Sequence, residues 1–318
     1  MPAFTAAAPG KIILFGEHAV VYGQPAVAVP VHQVCARATL QAEPRKAAGD
    51  IRILAPAIHL DSTLQDLPCD DPLVIAIQSV QETLHIAQLP AFTLRIQSTI
   101  PVASGLGSGA AVSVALIRAL SAFLGQPLPD DTVNALAYTV EKRHHLNPSG
   151  VDNTVITYAK PIYFVRGQPL ELLNVAEPLT FVIGDSGIQS RTADVVAGVR
   201  SRWQADPAAY EALFARIGQL TRQARAQIET GSPTHLGEWM DENHHCLQAM
   251  GVSCPELNRL VLAARAAGAQ GAKLSGGGLG GNMIALCAPT AAETVATALQ
   301  QAGAVHTTIT HLPSTRME

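Results

Sequence analysis

The stretch Pro101 to Ala111, PVASGLGSGAA, runs directly into the uncharged segment from Val112 to Ile117. It reads as a glycine-rich loop that opens a buried helix. Gly105, Gly107 and Gly109 carry no Cβ, so consecutive backbone N–H groups can crowd around an anion at the positive end of the helix dipole. The loop therefore predicts a nucleotide-phosphate ligand. A glycine-rich turn that only lets two elements pack closely is the alternative that the loop alone leaves open.

Outward from the loop, a helix is expected from Ser108 to Leu124 with Gly125 as its stop, and another from Asp130 to His145, where Asp130 and Asp131 suit the first turn. Lys11 to Phe15, Ala26 to Pro30 and Val34 to Ala42 read as strands, short and rich in Val, Ile and Leu, and Ile51 to Leu54 and Ala91 to Gln97 extend the sheet. Thr154 to Ala159 and Pro161 to Val165 read as a hairpin, and Leu179 to Gly184 as a further apolar strand. From Thr192 the period changes to that of long helices: Thr192 to Trp203, Ala208 to Glu229, Pro233 to Met250 and Cys254 to Ala267. Strands at Gly271 to Ser275, Asn282 to Ala288 and Val305 to Leu312, with a helix from Ala291 to Ala302, close the chain. The order gives an α+β protein of two domains, residues 1–185 and 186–318, the second with helices packed on a small antiparallel sheet.

With 318 residues, 48% hydrophobic and 14% charged, the chain has ample core. Its five cysteines are odd in number and scattered, with no zinc spacing, which fits a reduced, cytoplasmic compartment. No leader and no apolar run of spanning length is read, so a soluble protein is expected. A net charge of −4 disfavours nucleic acid and anionic membrane as partners and favours a small molecule.

Lys11, Glu17 and His18 cluster around the first apolar strand and its turn, where charge is expensive unless it is paired or faces a ligand. A solvated strand-end lysine and a hydrogen-bonded turn histidine are the plainer readings. Glu141 lies late in its helix, and Asp152 follows after the turn Asn147-Pro148-Ser149-Gly150. Paired oxygens suit magnesium, and a carboxylate beside a hydroxyl suits phosphoryl transfer, although a surface ion pair and a turn aspartate would look the same. Lys142 to His145 read as positive charge at the negative end of their helix, with phosphate or adenine binding as the lesser alternative, and the pair His244 and His245 reads the same way. Gly276, Gly278 and Gly281 match GxGxxG in form, but a strand follows them where that fingerprint requires a helix. They read as a tight connection that brings backbone near a ligand. No GxxxxGK[ST] is present, nor a VAIK, HRD and DFG set.

Four motifs in order, APGK (8–11) with GEHAVVYG (16–23), PVASGLGSGAA, PSGVDN (148–153) and KLSGGGLGG (273–281), resemble the GHMP kinase superfamily. GEHAVVYG and the stretch DSGIQSRTADVVAGVR (185–200) are most similar to its mevalonate-kinase branch. The resemblance implies an N-terminal domain like ribosomal protein S5 domain 2, a ferredoxin-like C-terminal domain and an active site in the cleft between them. It implies ATP and Mg2+ as cofactors and mevalonate as substrate, phosphorylated to 5-phosphomevalonate. Asp152 is then the acceptor of the hydroxyl proton, and Lys11 keeps Asp152 ionised and steadies the transferring phosphoryl group. Pro101, Ala103, Ser104, Gly105, Leu106, Gly107, Ser108, Gly109, Ala110 and Ala111 wrap the ATP phosphates. Glu141 and Ser108 hold magnesium, with Gly109 standing where many relatives have a second serine. Glu17, His18, Arg191, Thr192, Gly277 and Gly278 meet the substrate. Relatives are often dimers, so a homodimer is an assembly the resemblance implies. Mevalonate 3-kinase, phosphomevalonate kinase, sugar kinase and a sensor without turnover are the competing readings.

Overall fold

The computed structural model describes residues 3–101, 105–144, 148–190, 192–231 and 233–315, with the side chain of His144 left aside. Ala103, Ser104 and Arg191 lie outside the described residues. The chain divides into two compact units.

The first unit comprises residues up to 10, 34–101 and 107–159. Two long strands, β1 (Ala3–Phe15) and β2 (Ala26–Ala42), begin or end in it. The two strands expected at Ala26 to Pro30 and Val34 to Ala42 are thus one. Along β2, Val34, Ala36, Ala38 and Leu40 are buried while Arg37 and Gln41 are exposed, the period of two that a half-buried strand demands. β3 (Ile51–Ala55), β4 (Leu60–Thr63) and β5 (Phe92–Ser98) complete the sheet in the order β4-β3-β5-β2, with β1 also on β2. The register sets Leu40 opposite Leu94 and Ala38 opposite Ile96, so the apolar rows of β2 and β5 coincide.

Four helices accompany this sheet: α1 (Pro72–Thr83), α2 (Ser108–Phe123), α3 (Asp130–His144) and α4 (Val151–Tyr158). α2 matches its expected bounds, and Gly125 just beyond it takes the left-handed φ of 77° that ends a helix. α4 corrects the hairpin expected over Thr154 to Ala159; only its second arm is a strand, β6 (Ile162–Phe164). Thr, Val and Ile each cost a helix roughly half a kcal/mol against alanine. Burying one Val or Ile returns about 1.5–3 kcal/mol, and Val151, Val155 and Ile156 are all fully buried. Hydrogen bonds reinforce the choice: the Thr154 hydroxyl donates to the Gly150 carbonyl at 2.6 Å, and the Asn153 amide to Asn134 Oδ1 of α3 at 2.6 Å.

The second unit holds residues 11–33 and, from 160 onward, the rest of the described chain, with 105 and 106. In it β6 pairs with the start of β2 and with the short β7 (Glu171–Leu172). A separate antiparallel sheet is formed by β8 (Leu179–Asp185), β9 (Gly271–Ser275), β10 (Asn282–Cys287) and β11 (His306–Leu312), in the order β11-β8-β10-β9. α5 (Thr192–Ala205), α6 (Pro207–Thr230), α7 (Leu236–Ala249), α8 (Pro255–Ala266) and α9 (Ala292–Gln301) follow the expected helical periods. Their apolar stripes meet the sheet in one core that includes Val182, Phe214, Leu247, Leu257, Leu274, Met283 and Leu299. Among the described residues no helix is long and apolar enough to cross a membrane.

Candidate active site

Past Pro101, the described part of the glycine loop begins at Gly105. Gly105 and Gly107 both hold left-handed φ values, 84° and 78°, and Gly107 caps α2. The Leu106 carbonyl accepts the Lys11 N–H at 3.0 Å, which ties the loop to β1. Inside α2 the first backbone bond is Ala111 N–H to the Gly107 carbonyl, so the N–H groups of Ser108, Gly109 and Ala110 have no partner within the helix. No acidic side chain occupies this first turn. It is an anion-binding geometry for which the phosphates of a nucleotide are the natural occupant.

Glu141, near the end of α3, approaches the same turn: a Cβ at Gly109 would lie 3.9 Å from Glu141 Oε1. Ser108 supplies a half-buried hydroxyl one residue away. Among the described residues no group of three or more His, Cys, Asp or Glu gathers as a metal site. A carboxylate and a hydroxyl beside a phosphate-binding turn nonetheless fit magnesium, which takes few protein oxygens and completes its shell with water and phosphate. Asp152 stands in the first turn of α4, half-buried, behind Gly150 at φ 90°.

In the second unit the turn Gly16-Glu17-His18 follows the buried end of β1, where Lys11 is only 3% exposed. Gly16 has φ 102°, and a Cβ there would stand 2.4 Å from the Pro25 carbonyl oxygen, so only glycine lets the chain double back onto β2. Glu17 is fully buried. Its Oε1 forms an ion pair with Lys273 Nζ in the middle of β9, and its Oε2 accepts from Asn243 Nδ2 at 3.2 Å. Lys273 Nζ also donates to the Leu274 carbonyl at 2.7 Å. Burial favours release of the Lys273 proton, and Glu17 opposes it.

His18 lies next along the chain, in a left-handed conformation at φ 59°. Its Nε2 is 2.9 Å from the carbonyl oxygen of Gly277. Burial pulls its pKa down to about 4, and Arg202 and Lys273 push the same way, so the ring is neutral at pH 7. Gly277 belongs to the second glycine cluster. Ser275 at its start bonds both the N–H and the carbonyl of Ile13, each at 3.0 Å, which fastens β9 to β1. A Cβ at Gly277 would meet Thr192 Oγ1 at 3.1 Å, and one at Gly278 would overlap the Val252 carbonyl at 2.0 Å. Gly278 is there for close packing, while Gly277 gathers His18 and Thr192.

The expected residues therefore fall into two groups. Ser108, Gly109 and Glu141 meet in the first unit; His18, Thr192 and Gly277 meet in the second, with Glu17 beneath them. Lys273, Asn243 and His244 escape a reading of the sequence. His244, which reads as helix charge, is 4% exposed and accepts the Leu274 N–H at Nδ1, 3.3 Å away. The available signal is Lys273 itself, a cation in the otherwise apolar strand GAKLS, which requires a buried counter-charge.

Two family models match the chain. The GHMP kinases N terminal domain covers residues 72–160, and the GHMP kinases C terminal domain residues 224–305. Among curated proteins, the mevalonate kinase of Pyrococcus horikoshii is 36% identical over 94% of this chain and 93% of its own. The mevalonate kinase of Thermococcus sibiricus is 37% identical over 94% and 93%. The crystal structure of L. major mevalonate kinase in complex with R-mevalonate superposes with a TM-score of 0.84 at 29% identity, covering 98% of this chain and 97% of that one.

Proposed function

The chain belongs to the GHMP kinase family, and from that premise we propose that it catalyses ATP-dependent phosphorylation of mevalonate at the primary hydroxyl, giving 5-phosphomevalonate. The observation that carries the reading is the likeness to mevalonate kinases along nearly the whole chain, together with the His18–Gly277–Thr192 grouping at the GEHAVVYG turn. A fold likeness alone would leave the substrate open.

In this reading the N–H groups at the start of α2 bind the ATP phosphates. Glu141 and Ser108 hold Mg2+, whose charge offsets that of the phosphate oxygens when bound. His18 and Thr192 orient mevalonate. The hydroxyl oxygen bonds to the γ-phosphorus, the bond from that phosphorus to the bridging oxygen breaks, and ADP departs. Asp152 takes the hydroxyl proton, and Lys11 supplies positive charge for the transferring group. Pro101, Ala103, Ser104, Arg191 and Gly278 keep the roles that the resemblance gives them. The same reading sets the reaction in the cytoplasm, on a small molecule and not on nucleic acid or membrane, in a homodimer.

The test is a panel of purified protein, ATP and magnesium with mevalonate, phosphomevalonate and sugars, the product's phosphorylated position being read by NMR. Phosphate on the primary hydroxyl of mevalonate supports the reading. Phosphate at the 3-position, or turnover only of another alcohol, overturns it. Asp152→Asn is expected to lower kcat at least about a thousandfold while ATP still binds; a variant with normal turnover removes Asp152 from the mechanism.

A further inference from the structure

We propose that Glu17 serves the reaction through Lys273 and not by touching the substrate: the buried pair, braced by Asn243, anchors the Gly16–His18 turn to β9 so that His18 keeps its proton on Nε2 and offers Nδ1, an acceptor, to a substrate hydroxyl. The inference rests on the mevalonate reading and names a positioning device within it.

The Glu17 and Lys273 side chains are each 0% exposed, so no ligand reaches the carboxylate. Both carboxylate oxygens already have donors, Lys273 and Asn243. Neither charge is tolerable there alone. Yet such a pair seldom stabilises more than apolar residues of equal volume would, so its use lies in fixing geometry. What it fixes is adjacent. His18 follows Glu17 directly, in a backbone conformation that few L-residues adopt.

A carbonyl only accepts, so the bond to Gly277 requires hydrogen on His18 Nε2. Burial opposes a second proton on the ring, and the charges that act on it, Arg202 on α5 and Lys273 on β9, are both cations and oppose it too. Nδ1 is then a lone pair. A lone pair takes a hydroxyl and repels a carboxylate, so His18 reads the alcohol of a hydroxy acid and leaves the acid group to other residues. Gly277 links the parts, since the residue that accepts from His18 also abuts the Thr192 hydroxyl.

The full-length enzyme, labelled with 15N in its imidazoles and assigned with His18→Asn, tests this directly. Wild-type His18 is expected to show the Nε2–H signature from pH 7 to pH 5; an Nδ1–H or doubly protonated ring at pH 7 overturns the proposal without any further variant. Glu17→Gln and Lys273→Met are each expected to average the tautomer signal and to raise the KM for mevalonate at least tenfold, with the KM for ATP changed less than twofold. The double variant leaves no orphan charge. It is expected to recover the melting temperature but neither the tautomer signal nor the KM. Recovery of all three makes the pair merely structural and overturns the proposal, and the double variant with Lys273→Arg carries the comparison if a single variant does not fold. Should another hydroxy compound prove to be the substrate, the mevalonate reading fails while the tautomer measurement still decides the role of the pair.

Discussion

At Gly16 the backbone is bent to φ 102°, and a single methyl group would be driven to 2.4 Å from the Pro25 carbonyl and 2.5 Å from Ala26 Cα. Backbone on both sides leaves nothing to yield. Gly16→Ala is therefore expected to destabilise the protein by about 2–4 kcal/mol, measurable by urea denaturation, and to weaken mevalonate binding because His18 lies two residues on. The histidines give a second expectation at this scale. His18 and His244 are both buried and both depressed to about 4 from an ordinary 6.5. Below pH 6.5 the unfolded chain takes up protons that the folded protein refuses until pH 4, so stability is full above 6.5 and is lost as the pH falls through that window. Each ring should remove about 2 kcal/mol between pH 7 and pH 5, and His244→Gln should flatten the pH dependence of the urea midpoint. The same residues mark where reading the sequence stopped. His18 was legible as a site residue because glycine and glutamate precede it in a motif. Glu17 looked like a substrate contact because its partner Lys273 is 256 positions away, and only the β9 register brings the two together.

Elements were legible where periodicity and caps agreed. α2 shows an uncharged run from Val112 to Ile117 between glycines, and β5 shows clean alternation, so their bounds fall within a few residues of expectation. α4 was misread because its β-branched run carries strand preference, while the burial that reverses it depends on α2 and α3. α1 was overlooked despite a sound local signal, Asp71 capping the Leu73 N–H at 2.8 Å with Pro72 at the first helical position. The contact between α7 and β9 could not be read at all, since it is made by missing atoms. A Cβ at Gly271 would lie 2.0 Å from the Gly237 carbonyl, and one at Gly237 would lie 2.2 Å from the Gln270 carbonyl. The helix that bears Asn243 and His244 thus lies directly on the strand that bears Lys273. Gly271→Ala must force α7 off β9, at a cost of at least about 2 kcal/mol. Adding Gly237→Ala should cost less than the sum of the two single changes, because both relieve one contact; additive melting shifts would refute the shared contact.

Across the whole molecule, the two groups of candidate residues belong to different compact units: Ser108 and Glu141 to the first, His18, Thr192 and Gly277 to the second. A ligand that binds only the folded protein stabilises it by RT ln(1 + [L]/Kd), about 2.7 kcal/mol at a hundred times Kd, which for a chain of this length is a shift of a few degrees in melting temperature. Each ligand should then report on its own residues. ATP with magnesium should raise the melting temperature of the wild type, and EDTA should remove most of that gain, because the uncompensated phosphate charge binds far less well beside Glu141. Ser108→Ala and Glu141→Gln should abolish the magnesium-dependent part while leaving the shift given by mevalonate. Thr192→Ala should do the reverse, losing the mevalonate shift and keeping that of magnesium and ATP. If Glu141→Gln retained a full, EDTA-sensitive shift, Glu141 would be a structural carboxylate beside α2 and the metal would have to be sought on other oxygens.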